Sequence, residues 1–208
     1  MHELSDLARS KTLFLGTNNR KKIVELALWL EPRGFQLRTP SDFPDLFDVE
    51  ETGATFIENA RIKAISQAKH RGMWAIGEDS GLCVKSLDGS PGVYSARFSG
   101  ENATDASNNT LLLNKMRDIP DDQRQAYYVS TIVLADPNGT IHIESSGECW
   151  GRILRSPRGE KGFGYDPLFE ILEYHQTFAE MGLGVKRAIS HRSRALRSFL
   201  CKLDRLTS

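Results

Sequence analysis

The run from Tyr127 to Ala135 is the feature that most limits how this chain can fold. It is rich in β-branched and aromatic residues, Pro137-Asn138-Gly139 follows it as a hairpin turn signal, and Thr140 to Glu144 supply the return strand. Earlier in the sequence, strand-like and helix-like segments alternate instead. A strand candidate at Thr12 to Leu15 is followed by a turn at Gly16 to Asn19. A helix comes next, with Ile23, Leu26, Ala27 and Leu30 at helical spacing. Alternation gives parallel strands and a hairpin gives antiparallel ones, so the chain is expected to be α/β with a mixed sheet.

Thr55-Phe56-Ile57-Glu58 has capping-box spacing and predicts a second helix. Its Ile57, Ala60, Ala64 and Ala68 form a narrow face of small residues suited to lying close on a sheet. Trp74 to Ile76 and Leu82 to Val84 read as two strands around a Gly77–Gly81 turn, which would present Glu78 and Asp79 at the sheet edge. A further helix is expected from Asp105 to Met116 and a loop from Gly159 to Asp166. The last helix starts near Ser190, with Leu196, Phe199, Leu200 and Leu203 on its buried side. Residues 1–11 read as a flexible lead-in and residues 12–208 as the working domain.

The 208 residues carry 27 Lys plus Arg and 27 Asp plus Glu, a formal charge of zero. That balance argues against a long polyanionic partner such as nucleic acid, though not against a small anion in a local basic pocket. No apolar stretch is long enough for a bilayer, and the first residues lack the apolar core of a signal peptide. Cys83, Cys149 and Cys201 are widely spaced, which fits a reduced cytoplasmic compartment. Neither a dinucleotide fingerprint nor a P-loop is present.

Four groups of residues could carry chemistry. Thr17-Asn18-Asn19-Arg20-Lys21-Lys22 opens a helix with a hydroxyl, amides and cations, which suits phosphate oxygens; a solvated helix end is the other reading. Glu50, Glu51, Glu78 and Asp79 offer hard oxygen ligands for a cation such as Mg²⁺, or are solvated surface acids. Gly162-Phe163-Gly164-Tyr165-Asp166-Pro167 combines close backbone approach, a ring for stacking and an acceptor for a base edge, or is an aromatic turn in the core. Lys186 with Ser190-His191-Arg192 gathers donors suited to an oxyanion or carbonyl, or caps a helix with a solvated basic turn.

Taken in order, these segments resemble the inosine triphosphate pyrophosphatase family, also called dITP/XTP pyrophosphatases, from about Thr12 to Leu203. Pro91-Gly92-Val93-Tyr94-Ser95-Ala96-Arg97 and Phe178-Ala179-Glu180-Met181 belong to the same pattern. The resemblance implies an elongated mixed β-sheet flanked by helices, in two lobes with a central nucleotide-binding cleft. It also implies a Mg²⁺-dependent homodimer that hydrolyses dITP, ITP and XTP to monophosphate and pyrophosphate. By position it assigns the phosphates to Thr17 to Lys22, with Lys22 as the phosphate lysine, and proton acceptance and metal to Asp79. Glu50 is expected as the second metal ligand, with Glu51 close behind. Ser80, Phe163, Gly164, Tyr165, Asp166, Lys186, His191 and Arg192 are expected to hold the nucleotide.

The chain departs from the family pattern at Glu78, where an aspartate usually opens Asp-Asp-Ser-Gly. It departs also at Asn18, where glycine or serine is common, and at Gly184-Val185, where two acids often precede the lysine. The competing readings are a related pyrophosphatase for pyrimidine nucleotides, a nucleotide-binding regulator without catalysis, and a nucleic-acid-binding module.

Overall fold

The computed structural model describes residues 7–45 and 47–207. Most of the expected lead-in, residues 1–6, lies outside them, while residues 7–10 are helical and Leu7 is buried in a core cluster. Among the described residues seven strands form one sheet: β1 (Thr12–Leu15), β2 (Gln36–Arg38), β3 (Ala75–Val84), β4 (Gln125–Ala135), β5 (Ile141–Ile153), β6 (Phe169–Ile171) and β7 (Gln176–Thr177). Their order is β2-β1-β3-β4-β5-β6-β7. β1 is parallel to β2 and to β3, whereas β5–β6 and β6–β7 are antiparallel. The sheet is therefore mixed, as the alternation followed by a hairpin required.

The helices are α1 (Arg20–Leu30), α2 (Phe56–Arg71), α3 (Asp105–Lys115), α4 (Leu183–Ile189) and α5 (His191–Thr207). Each of the first three starts on a side-chain cap: Asn19, Thr55 and Thr104 accept backbone N–H groups that a helix start leaves orphaned. Thr55 and Glu58 form the expected capping box, and Gly72 ends α2 in the left-handed conformation at φ 61°. Between β4 and β5, Asp136 Oδ1 accepts the N–H groups of Asn138 and Thr140, which closes the turn.

The contacts divide the chain into two compact units. The first comprises Met1–Asp79, Thr131–Gly147 and Ala195–Ser208; the second comprises Ser80–Ser130 and Glu148–Arg194. In the first unit the sheet is buried on both faces. Leu13, Leu15, Ile76, Ile132 and Leu134 pack with Leu26, Leu30, Leu196, Phe199, Leu200 and Leu203. The alternate residues Phe14, Ala75, Val133 and Ala135 pack with Ala60, Ala64 and Ala68 of α2. Period-2 alternation sets the two faces, and each large side chain so buried contributes roughly 2 kcal/mol. In the second unit Leu82, Val84, Leu112, Met116, Tyr128, Phe169 and Phe178 make a separate core.

One expectation needs correction. Trp74–Ile76 and Leu82–Val84 are not two strands around a turn: Ala75–Val84 is a single strand of 10 residues. Glu78 and Asp79 sit inside it, and β3 lies between β1 and β4 rather than at an edge. Gly77 is there for packing: a Cβ on it would lie 2.2 Å from the Ala60 carbonyl oxygen and 2.5 Å from the Ala64 nitrogen. Its glycine marks close approach of a helix, not a bend.

Candidate active site

In the first unit the site is built on three consecutive structural pieces. β1 ends at Leu15, and the Gly16 N–H donates to the Ile76 carbonyl on β3. Asn19 then caps α1, its Oδ1 accepting from Lys21 N at 3.0 Å and Lys22 N at 3.3 Å, while its own N–H donates to Thr17 Oγ1. No acid occupies the first turn of α1. Asn18, Asn19, Arg20 and Lys21 are exposed there, and Thr17 is partly buried. Lys22 turns inward and pairs with Glu78, Nζ to Oε2 3.0 Å.

Next along β3, Asp79 is only 6% exposed. Lys63 of α2 donates to its Oδ1 at 2.9 Å, and Asn59 of α2 donates to its Oδ2 at 3.4 Å. The same Lys63 Nζ lies 3.2 Å from Glu51 Oε1. Burial pushes the Asp79 carboxyl above the ordinary aspartate range, and the nearby Glu51 adds to that push; Lys63 and Lys22 pull in the opposite direction. The outcome is a buried carboxylate that is a better proton acceptor than a solvated one.

Two carboxylates thus converge on one ammonium. Among the described residues no group of three His, Cys, Asp or Glu could hold a metal ion unaided. Glu51 and Asp79 supply oxygen ligands suited to a hard cation, which would complete its shell with phosphate oxygens and water. Glu50 is exposed in the loop, while Glu51 is partly buried and faces Lys63.

The second unit gathers the remaining residues. Gly162, at φ 83°, brings the backbone against Asp166; a Cβ there would meet Asp166 Oδ2 at 2.1 Å. Asp166 Oδ2 accepts the Phe163 N–H at 2.9 Å and is paired with Lys186. Lys186 Nζ also lies 4.9 Å from the centre of the Phe163 ring. Gly164 is held at both its polar atoms, by Asp105 Oδ2 on its N–H and by the Asn109 amide on its carbonyl. Tyr165 is buried and donates to the Ser95 carbonyl. Ser190 Oγ accepts the Ser193 N–H and so caps α5. The His191 ring stacks on Tyr128 at 4.7 Å and 13°. Arg192, 3% exposed, donates from Nη2 to Ser80 Oγ at 3.1 Å. Arg192 and Lys186 offer donors, Phe163 a ring and Asp166 a buried carboxylate, groups able to hydrogen-bond and stack on a planar ligand.

A model of the Ham1 family matches residues 13–202. The chain belongs to the Ham1 family. A dITP/XTP pyrophosphatase of Rhodopirellula baltica is 50% identical over 194 residues, covering 93% of each chain. One from Desulforamulus reducens is 48% identical, covering 93% of this chain and 96% of the relative. A solved HAM1 protein from Coxiella burnetii superposes with a TM-score of 0.87 at 36% identity, covering 93% of this chain and 98% of that one.

Two sets of residues in this Ham1-family chain escaped the sequence reading. Asn59 and Lys63, with Gln67, form a buried polar stripe at i, i+4 and i+8, one position before the alanine stripe 60, 64, 68. That adjacency was a usable signal, because polar residues beside a sheet-facing small-residue face must have partners there. Asp105 and Asn109 likewise stand at i and i+4 on α3, but nothing in the sequence couples them to Gly164.

Proposed function

We infer that this chain hydrolyses non-canonical purine nucleoside triphosphates, namely dITP, ITP and XTP, to monophosphate and pyrophosphate, and so clears them from the nucleotide pool. The observation that carries the reading is the buried Asp79 carboxylate, held by Lys63 beside Glu51, in a Ham1-family chain whose near relatives are dITP/XTP pyrophosphatases. The reaction joins a water oxygen to the α-phosphorus and breaks the bond from that phosphorus to the α,β-bridging oxygen, releasing pyrophosphate.

In the proposed mechanism Asp79 accepts the proton of the attacking water. Lys63 and Asn59 fix the orientation of its carboxylate. The start of α1, with Thr17 to Lys22, binds phosphate oxygens, and Lys22 exchanges its Glu78 partner for them or shares it. Mg²⁺, held by Asp79 with Glu51 or Glu50, would neutralise phosphate charge. In the second unit Phe163 stacks on the base, and Gly164, Tyr165, Asp166, Lys186, His191 and Arg192, with Ser80, line the recognition of its edge.

Selection against adenine follows from donor chemistry. Arg192 has only N–H donors. A 6-oxo group accepts from it, whereas a 6-amino group faces donor with donor, and a buried unpaired polar group costs about 1–3 kcal/mol. Action as a cytoplasmic homodimer is part of the same proposal and rests on the family likeness. The test is steady-state hydrolysis of ITP, XTP, dITP, GTP and ATP with Mg²⁺ and with EDTA. The expected result is pyrophosphate release from the first three that EDTA abolishes; equal rates on ATP would overturn the reading.

A further inference from the structure

The loop residues 43–45 and 47–55 run antiparallel along α2 and are fastened to it at successive turns. At one end Asp45 accepts from both His70, at 2.7 Å, and Arg71. The Phe47 ring stacks on His70 at 3.8 Å and 8°, and its carbonyl accepts from Gln67. In the middle Glu51 pairs with Lys63. At the other end Asn59 Oδ1 accepts the Gly53 N–H at 2.8 Å, and Glu58 accepts those of Ala54 and Thr55. Loop positions 45, 47, 51, 53 and 54 thus rise as their helix partners 71, 70, 63, 59 and 58 fall.

Exposed ion pairs ordinarily hold little. In this one the Asp45 side chain is 46% exposed, but the Arg71 side chain is 4% exposed and its guanidinium lies over the Phe43 ring at 4.4 Å. The far anchor is therefore partly desolvated and shaped by packing. Glu51 is the loop residue that reaches the ammonium shared with Asp79, and neither it nor its neighbours in the loop belong to a helix or strand. Fastenings to α2 lie on either side of it, at Asp45 and Phe47 before it and at Gly53 to Thr55 after it.

We propose that Asp45 and Phe47, with their partners His70 and Arg71, are positioning residues that hold Glu51 where it can share a cation with Asp79. This rests on the reading that Glu51 and Asp79 bind Mg²⁺ with the substrate. Partners that orient a ligating carboxylate are worth roughly 10-fold or more in metal affinity. Asp45→Ala and Phe47→Ala are thus expected each to raise the Mg²⁺ concentration for half-maximal ITP hydrolysis about 10-fold, with kcat at saturating Mg²⁺ within about twofold of the parent. Phe47→Tyr, which keeps the stack, should restore the parent requirement. In the protein without metal or nucleotide, backbone amides of residues 48–53 should exchange with solvent faster in both alanine variants.

An unchanged Mg²⁺ requirement in both alanine variants overturns the proposal, and so does a fall in kcat that saturating Mg²⁺ does not repair. Glu51→Gln separates the layers. If it raises the requirement while the anchor variants do not, the metal role of Glu51 stands and the anchors are irrelevant. If it has no effect, the metal role fails and the positioning role with it.

Discussion

At Asp79, opposing influences meet on one side chain. Burial and the Glu51 charge disfavour its ionised form, while Lys63 and Lys22 favour it, and the net direction is upward. A raised carboxyl carries a stability cost when it is ionised, and that cost is relieved as pH falls through the raised value. Asp79→Asn is therefore expected to cut turnover by about 10²–10⁴, the usual weight of a proton acceptor, while the protein still folds. In EDTA, the difference in denaturation free energy between parent and Asp79→Asn should move in the parent's favour as pH is lowered from 7 toward 4. A pH-independent difference would show that Asp79 is not perturbed. Asp79 and Lys22 stand out in the sequence only through the order of motifs that resembles the family, since each motif alone reads equally as solvated charge. Lys63 is harder to see, since a lysine in mid-helix is usually a solvated cation and only its place beside the alanine stripe 60, 64 and 68 marks it as facing the sheet.

Among the elements, β3 shows how a local signal misleads. Gly77 and Gly81 around Glu-Asp-Ser look like a turn, yet tertiary packing makes the glycine at 77 a contact point for α2. Gly77→Ala would place a methyl group inside van der Waals contact with the Ala60 and Ala64 backbone, and overpacking of this kind costs about 3 kcal/mol. A drop of that size in denaturant unfolding is expected, with turnover falling too because Lys63 rides on α2. Normal stability would mean that helix and strand can separate freely. Elements with strong period or caps, such as α1, α2 and α3, were legible from Ile23, Leu26 and Leu30, from Thr55 with Glu58, and from the Asp105 start. The short strands β2, β6 and β7 and the helix α4 were not, because two or three residues carry no period, and a seven-residue helix such as α4 barely two turns. Of the expected Thr140–Glu144, residues 141–144 are only the opening of a strand of 13 residues, whose later Glu, Trp and Arg alternate with buried positions.

Under the proposed function, the residues assigned to phosphate belong to the first unit and those assigned to the base to the second. Substitutions at Arg192 and Lys186 should alter the ratio of ITP to ATP hydrolysis, whereas those at Lys22 and Lys63 should lower both rates and leave the ratio unchanged. Arg192→Ala with its full preference for ITP would refute that division. The formal charge of zero conceals a local imbalance at Asn19. A carboxylate would cap α1 as well as the amide does, but it would also cancel the field that the aligned peptide groups project from that end. With a neutral cap, and Arg20, Lys21 and Lys22 behind it, the opening of the helix keeps its positive potential for an arriving anion. An aspartate at 19 would fold there just as readily and act as a permanent, tethered competitor.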